Sequence, residues 1–182
     1  MAPVFDAINV VGVSGSPAAK SRSRTLLDGA LTALERYGTR VGRVDLAELP
    51  ADALLGRRQD AAVADALAAA QSARIIVVST PIYRATYSGL LKVFFDLLPQ
   101  DALAGKVAIA IATGATPAHF LAIDHGLRPL LASVGAVTVS TGVYGTDAQF
   151  RDGKPDAALV ERVERAVALA AALSGLVPAL EA

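Results

Sequence analysis

Five short apolar runs recur along the chain, and a segment of helical periodicity follows each one; this alternation constrains the fold more than any other feature. Ile8 to Ser14, Arg74 to Ser79, Lys106 to Thr113 and Ala136 to Thr141 are rich in small and β-branched apolar residues and too short for ordinary helices, so each reads as a strand, and Arg40 to Leu46 reads as a second strand in the series with partial alternation. The segments Ser23 to Tyr37, Asp60 to Ser72, Ser88 to Leu98, His119 to Val134 and Asp156 to Leu173 read as helices. Ser23 is expected to cap the first helix and Gly38 to stop it. Pro50 to Gly56 has no readable pattern, and Gly142 to Pro155 reads as a loop. Strands without polar alternation are buried on both faces, which makes this an α/β chain: a parallel sheet with helices on both sides. No linker or repeat divides it, so 1–182 is expected to be a single domain.

Composition narrows what such a domain does. Seventeen Lys and Arg balance seventeen Asp and Glu, and a formal net charge of zero offers no footprint for nucleic acid or an anionic membrane. The absence of Cys excludes a disulfide scaffold, thiolate zinc, iron–sulfur clusters and a cysteine nucleophile. Two His leave too few ligands for a transition-metal site. No run approaches the roughly 20 apolar residues of a membrane span, and no positive charge precedes the apolar run within Met1 to Gly12. The expectation is a cytoplasmic enzyme or small-ligand binder with neither a nucleic-acid nor a membrane partner.

In a doubly wound sheet the ligand sits beyond the carboxyl ends of the strands. Three loops belong there. The first, S-G-S-P-A-A-K-S-R-S-R-T, sets Ser14, Ser16, Ser21, Arg22, Ser23 and Thr25 around a helix N-terminus, where hydroxyls, amides and a guanidinium all donate to a terminal phosphate. An ordinary capped polar loop has the same look. The chain lacks both the second glycine of a nucleoside triphosphate loop and the G-x-G-x-x-G of a dinucleotide fold, having only Gly12 and Gly15. Asp45, where the second strand ends, therefore reads as a loop residue. The second loop, T-P-I-Y-R-A-T-Y-S-G, offers Tyr83 to a flat ligand and Arg84 to an anionic group, or else is a rigid turn with exposed tyrosines. In the third, Thr113, Gly114 and Ala115 allow close backbone approach, and His119 reads as a residue at a helix start. Together the loops describe a mononucleotide site: one terminal phosphate and one planar ring.

At these residues the chain resembles the NADPH-dependent FMN reductase family of the flavodoxin-like fold, in particular the reductases that serve alkanesulfonate and methanesulfonate monooxygenases. The likeness runs from G-S-P-A-A-K-S-R-S at Gly15, through P-I-Y-R-A-T-Y-S-G-L-L-K and A-T-G-A-T-P-A-H-F-L-A-I-D-H-G-L-R-P, to G-V-Y at Gly142. It implies a three-layer α/β/α sandwich with a five-stranded parallel sheet in the order 2-1-3-4-5. It also implies FMN and NADPH, with NADH possible, as the cofactors. By this likeness Ser14, Ser16, Ser21, Arg22 and Ser23 hold the FMN phosphate, Pro81, Ile82, Tyr83 and Arg84 line the ring and ribityl chain, and Thr113 and Gly114 meet the ring edge. Ala115 departs from an expected glycine. Hydride passes directly between the two cofactors, so the lack of an acid–base group does not count against an enzyme.

The resemblance further implies a homodimer or homotetramer and a transient flavin-dependent monooxygenase partner. Ser88 to Leu98 agrees, being apolar beyond what one sheet face covers. His125 stands where alkanesulfonate-linked members carry an inserted tyrosine that opens a π-bulge and methanesulfonate-linked ones carry histidine; it is expected to mark such a bulge and keep FMN exchangeable. Asp124 and Arg128 pair on one helical face for a few tenths of a kcal/mol, on the order of other exposed pairs. Two rival activities share the scaffold. One is a quinone, azo or chromate reductase with fixed FMN; the other is a flavodoxin-like electron carrier, which strong acidity would favour and zero net charge does not.

Overall fold

The computed structural model describes residues 10–176. β1 (Val10–Ser14) lies between β2 (Val41–Asp45) and β3 (Ile75–Pro81), and β4 (Val107–Gly114) and β5 (Val137–Thr138) follow on the far side of β3. All these pairings are parallel, and the order β2-β1-β3-β4-β5 is the expected flavodoxin-like one. Ile8 and Asn9, expected to open β1, lie outside the described residues. Alternate residues of each central strand enter two cores. Ile75 and Val77 pack with α1 (Arg22–Glu35) and α6 (Ala157–Leu173) on one face. Ile76 and Val78 pack with α3 (Ala61–Ser72), α4 (Gly89–Asp96) and α5 (Arg128–Ser133) on the other. Both faces are covered, which is why these strands read as unbroken apolar runs. Each fully buried Leu, Ile or Val contributes about 1.5–3 kcal/mol of transfer free energy.

Several elements differ from expectation. Ser21, not Ser23, caps α1: its backbone is extended and its Oγ accepts from the Arg24 amide, while Ser23 is buried inside the first turn. Gly38, at φ +69°, ends that helical segment as expected. The unreadable stretch contains α2 (Ala51–Leu54), after a 3₁₀ turn at Leu46–Glu48. β3 runs through Pro81, because β1 has already ended and Ile82 N, not Pro81, donates to Thr113 O across the β4 side.

Two corrections bear on function. The fifth strand is not continuous from Ala136 to Thr141. β5 takes Val107 and Ala108, and a separate β6 (Val143–Thr146) takes Ile111 to Gly114. In the gap, Arg128 donates to Val139 O and Ser140 O at 2.7 and 2.6 Å, and Arg162 Nε donates to Gly142 O at 2.6 Å. Guanidiniums thus satisfy carbonyls that a ladder would otherwise hold. The loop after β6 carries a small antiparallel hairpin, β7 (Phe150–Arg151) and β8 (Lys154–Pro155). The expected helix His119 to Val134 is three pieces: a 3₁₀ turn at Pro117–His119, a π-helical turn at Ile123–Leu127, and α5. Among the described residues no helix is long and apolar enough to cross a membrane.

Candidate functional site

The first loop is pinned from below. Gly15 N donates to Ser79 O at 2.8 Å, and Ser88 Oγ donates to Gly15 O at 2.5 Å while capping α4 at Leu91 N. A Cβ at Gly15 would stand 2.9 Å from the Leu91 Cβ, so only glycine lets the loop sit this close to α4. From the side, Arg24 donates to Ala19 O at 2.8 Å and pairs with Asp45 at 2.7 Å. Asp45, its side chain only 7% exposed, also meets Arg43 Nε at 3.2 Å. Its role here is to brace the loop.

The second loop turns sharply after Pro81. Tyr83 and Thr86 exchange backbone hydrogen bonds at 2.9 and 3.2 Å, and Arg84 and Ala85 between them sit at φ +51° and +68°. Two consecutive non-glycine residues in the left-handed region store strain of the kind that gathers at ligand-binding loops. Thr80 Oγ1 accepts from Ser88 N at 3.0 Å, tying this loop to the same serine that holds the first.

The third loop is shaped by the tyrosine of the G-V-Y motif, to which the sequence reading gave no role. Tyr144 Oη donates to Thr116 O at 2.7 Å, and a Cβ at Gly114 would collide with that hydroxyl. Glycine at 114 is therefore required by Tyr144 as well as by any ligand edge. Burial, with the nearby Asp147 charge second, pushes the Tyr144 pKa above its ordinary value.

The three loops enclose one cleft of about 420 Å³, lined at one end by Ser16, Ala18, Lys20, Ser21 and Arg22 and at the other by Pro81, Ile82, Tyr83, Thr113, Gly114 and Ala115. Small-ligand sites run roughly 300–1,000 Å³. Of the expected residues, Ser14 and Ser23 are buried beneath it, Thr25 turns its hydroxyl to Ser21 O, and Arg84 is exposed on its turn outside the lining. Lys20 was missed as a candidate, although its charge beside three loop serines was the signal. The donors at one end and the flat, largely apolar walls at the other fit a phosphorylated flavin.

His125 lies exposed in the π-turn, as expected of it. Pro129 supplies a local reason for the turn. It has no N–H for the His125 carbonyl, four residues back, and the Arg128 N–H reaches Ile123 O, five back. The turn touches the second loop through Gly126, where a Cβ would stand 2.8 Å from Thr86 Oγ1 and 3.3 Å from the Tyr87 ring. Asp124 and Arg128 do pair, at 2.7 Å, but the larger service of Arg128 is to the two carbonyls of the sheet gap.

Residues 8–151 match the family model described as NADPH-dependent FMN reductase. The chain is 38% identical to an FMN reductase (NADPH) of Pseudomonas putida strain KT2440, over 85% of this chain and 80% of that one. It is 35% identical to the NADH-dependent FMN reductase SfnE of Pseudomonas putida, over 92% and 93% of the two chains. Among solved structures it is similar to the apo form of the NADH:FMN oxidoreductase EmoB, with a TM-score of 0.83 and 36% identity, covering 94% of this chain and 91% of that one.

Proposed function

This chain belongs to the NADPH-dependent FMN reductase family, and we propose that it passes hydride from NADPH or NADH to FMN and releases the reduced flavin to a flavin-dependent sulfonate monooxygenase. The observation that carries this reading is the polarity gradient of the cleft, cationic and hydroxyl-rich at the N-terminus of α1 and flat at the ends of β3 and β4. When bound, FMN supplies the electron-accepting ring, and NAD(P)H the hydride. The protein positions. Ser16, Lys20, Ser21 and Arg22 would donate to the phosphate, with Ser23 meeting Ser21 Oγ at 3.3 Å and Ser14 buried at the end of β1. Pro81, Ile82 and Tyr83 flank the ring and its chain, and Thr113 and Gly114 meet the ring edge. No side chain has to move a proton for a direct hydride transfer, so orientation and exclusion of water are the main contributions of the fold.

Two further features support an exchangeable flavin in an oligomer. The π-turn with His125 leans on the flavin loop through Gly126, and π-turns recur at functional sites. On α4, Leu91, Phe94 and Phe95 are buried, while Leu90 and Val93, with Leu97 just past the helix end, pack at the edge of the same core and keep a partly exposed apolar margin suited to a second copy. Steady-state oxidation of NADPH and NADH against free FMN, FAD and riboflavin tests the activity. Saturable dependence on free FMN is expected. FMN that stays bound through purification, with no response to added flavin, would instead favour a quinone, azo or chromate reductase.

A further inference from the structure

The Arg22 guanidinium has a second claimant. Asp147 Oδ1, from the turn that follows β6, stands 2.8 Å from Arg22 Nη2. That oxygen is itself buried and accepts no hydrogen bond, so the contact is one of charge with unaligned geometry. The Arg22 N–H groups are not committed by it. The backbone turn that carries this carboxylate is braced. Thr146 and Gln149 form a capping box across the turn, with Thr146 N donating to Gln149 Oε1 at 3.1 Å. Thr146 is also paired in register with Gly114 of the third loop, so Asp147 follows directly on the residue beside that loop.

We propose that Asp147 is a specificity-determining positioning residue that opposes the flavin phosphate at Arg22 and so weakens FMN relative to flavins without a phosphate. This rests on the reading of Arg22 as a phosphate donor. The physics is a competition for one cation. A phosphate monoester near neutral pH carries between one and two negative charges, and when it reaches Arg22 it meets a fixed carboxylate on the same guanidinium. Attraction to Arg22 remains, but the Asp147 charge subtracts from it. Both side chains are a little over two-fifths exposed, at 44% and 43%, so solvent screens the effect without abolishing it. An acid placed here keeps a phosphorylated flavin exchangeable while leaving the walls that hold the ring unaltered.

The test is equilibrium binding of FMN and riboflavin to the full chain, by quenching of flavin fluorescence, for the parent, Asp147→Asn, Asp147→Glu and Arg22→Ala. Asp147→Asn is expected to tighten FMN about fivefold at low salt, leave riboflavin unchanged, and lose most of its advantage as ionic strength rises. Asp147→Glu, which keeps the charge, is expected to bind FMN as the parent does. If Arg22→Ala weakens FMN selectively but Asp147→Asn leaves FMN unchanged or weakens it, Asp147 merely orients Arg22; the inference is then overturned and the phosphate site stands. If Arg22→Ala weakens both flavins alike, the phosphate assignment itself falls, and the inference with it.

Discussion

Arg22 lies at the polar end of the cleft, and Arg22→Ala is expected to lower FMN affinity about tenfold or more while riboflavin binds nearly as before, because charge-assisted bonds to phosphate contribute about 1.5–3 kcal/mol. Flavin titration of both variants checks this. Ala85 carries a different kind of constraint. At φ +68° its Cβ is strained, so Ala85→Gly is expected to stabilise the fold by about 0.5–1 kcal/mol in chemical denaturation, net of the entropy that glycine adds to the unfolded chain. Loss of stability there would mean that the turn is not held as described. At this scale much was legible: serines, arginine and glycine in loops after strands announce donors and close approaches by chemistry alone. Tyr144 and Asp147 were not legible, since each acts on a loop about thirty to 125 residues distant in sequence and neither carries a local pattern.

Among the elements, the break in the expected helix at Ile123–Leu127 lies against the second loop through Gly126. Gly126→Ala would press a methyl group against Thr86 and Tyr87. It is expected to destabilise the protein by about 1–3 kcal/mol and to raise the KM for FMN, read by denaturation and initial rates. His125→Ala leaves that contact in place and is expected to increase FMN retention on gel filtration while lowering turnover with free FMN. Release and reduction at the parent's rates would reduce His125 to a surface residue. Apolar periodicity located every major helix but blurred this one, because a π-turn shifts the register without removing an apolar residue. The resemblance at His125 pointed to the π-turn, and Pro129 supplies its local cause. Likewise nothing periodic reveals that Arg128 and Arg162 capture the carbonyls between β5 and β6; a strand was expected where the chain has a gap.

For the whole molecule, alternation of strand and helix led directly to a sheet covered on both faces, and the loops at the carboxyl ends of its strands form the cleft. That outcome follows from topology: β1, β3 and β4 are neighbours, so their following loops converge whatever the connections between them. The α4 margin belongs at this scale too. Light scattering at micromolar concentration is expected to give a multiple of the 18.6 kDa chain mass, and a monomer would leave Leu90, Val93 and Leu97 without a partner copy. The central claim is that flavin is a substrate that enters and leaves this cleft. Its most direct test is anaerobic addition of NADPH or NADH to the protein with a large molar excess of FMN, following the loss of oxidised-flavin absorbance. The account predicts reduction of many equivalents of FMN per chain; bleaching that stops at one equivalent would contradict it.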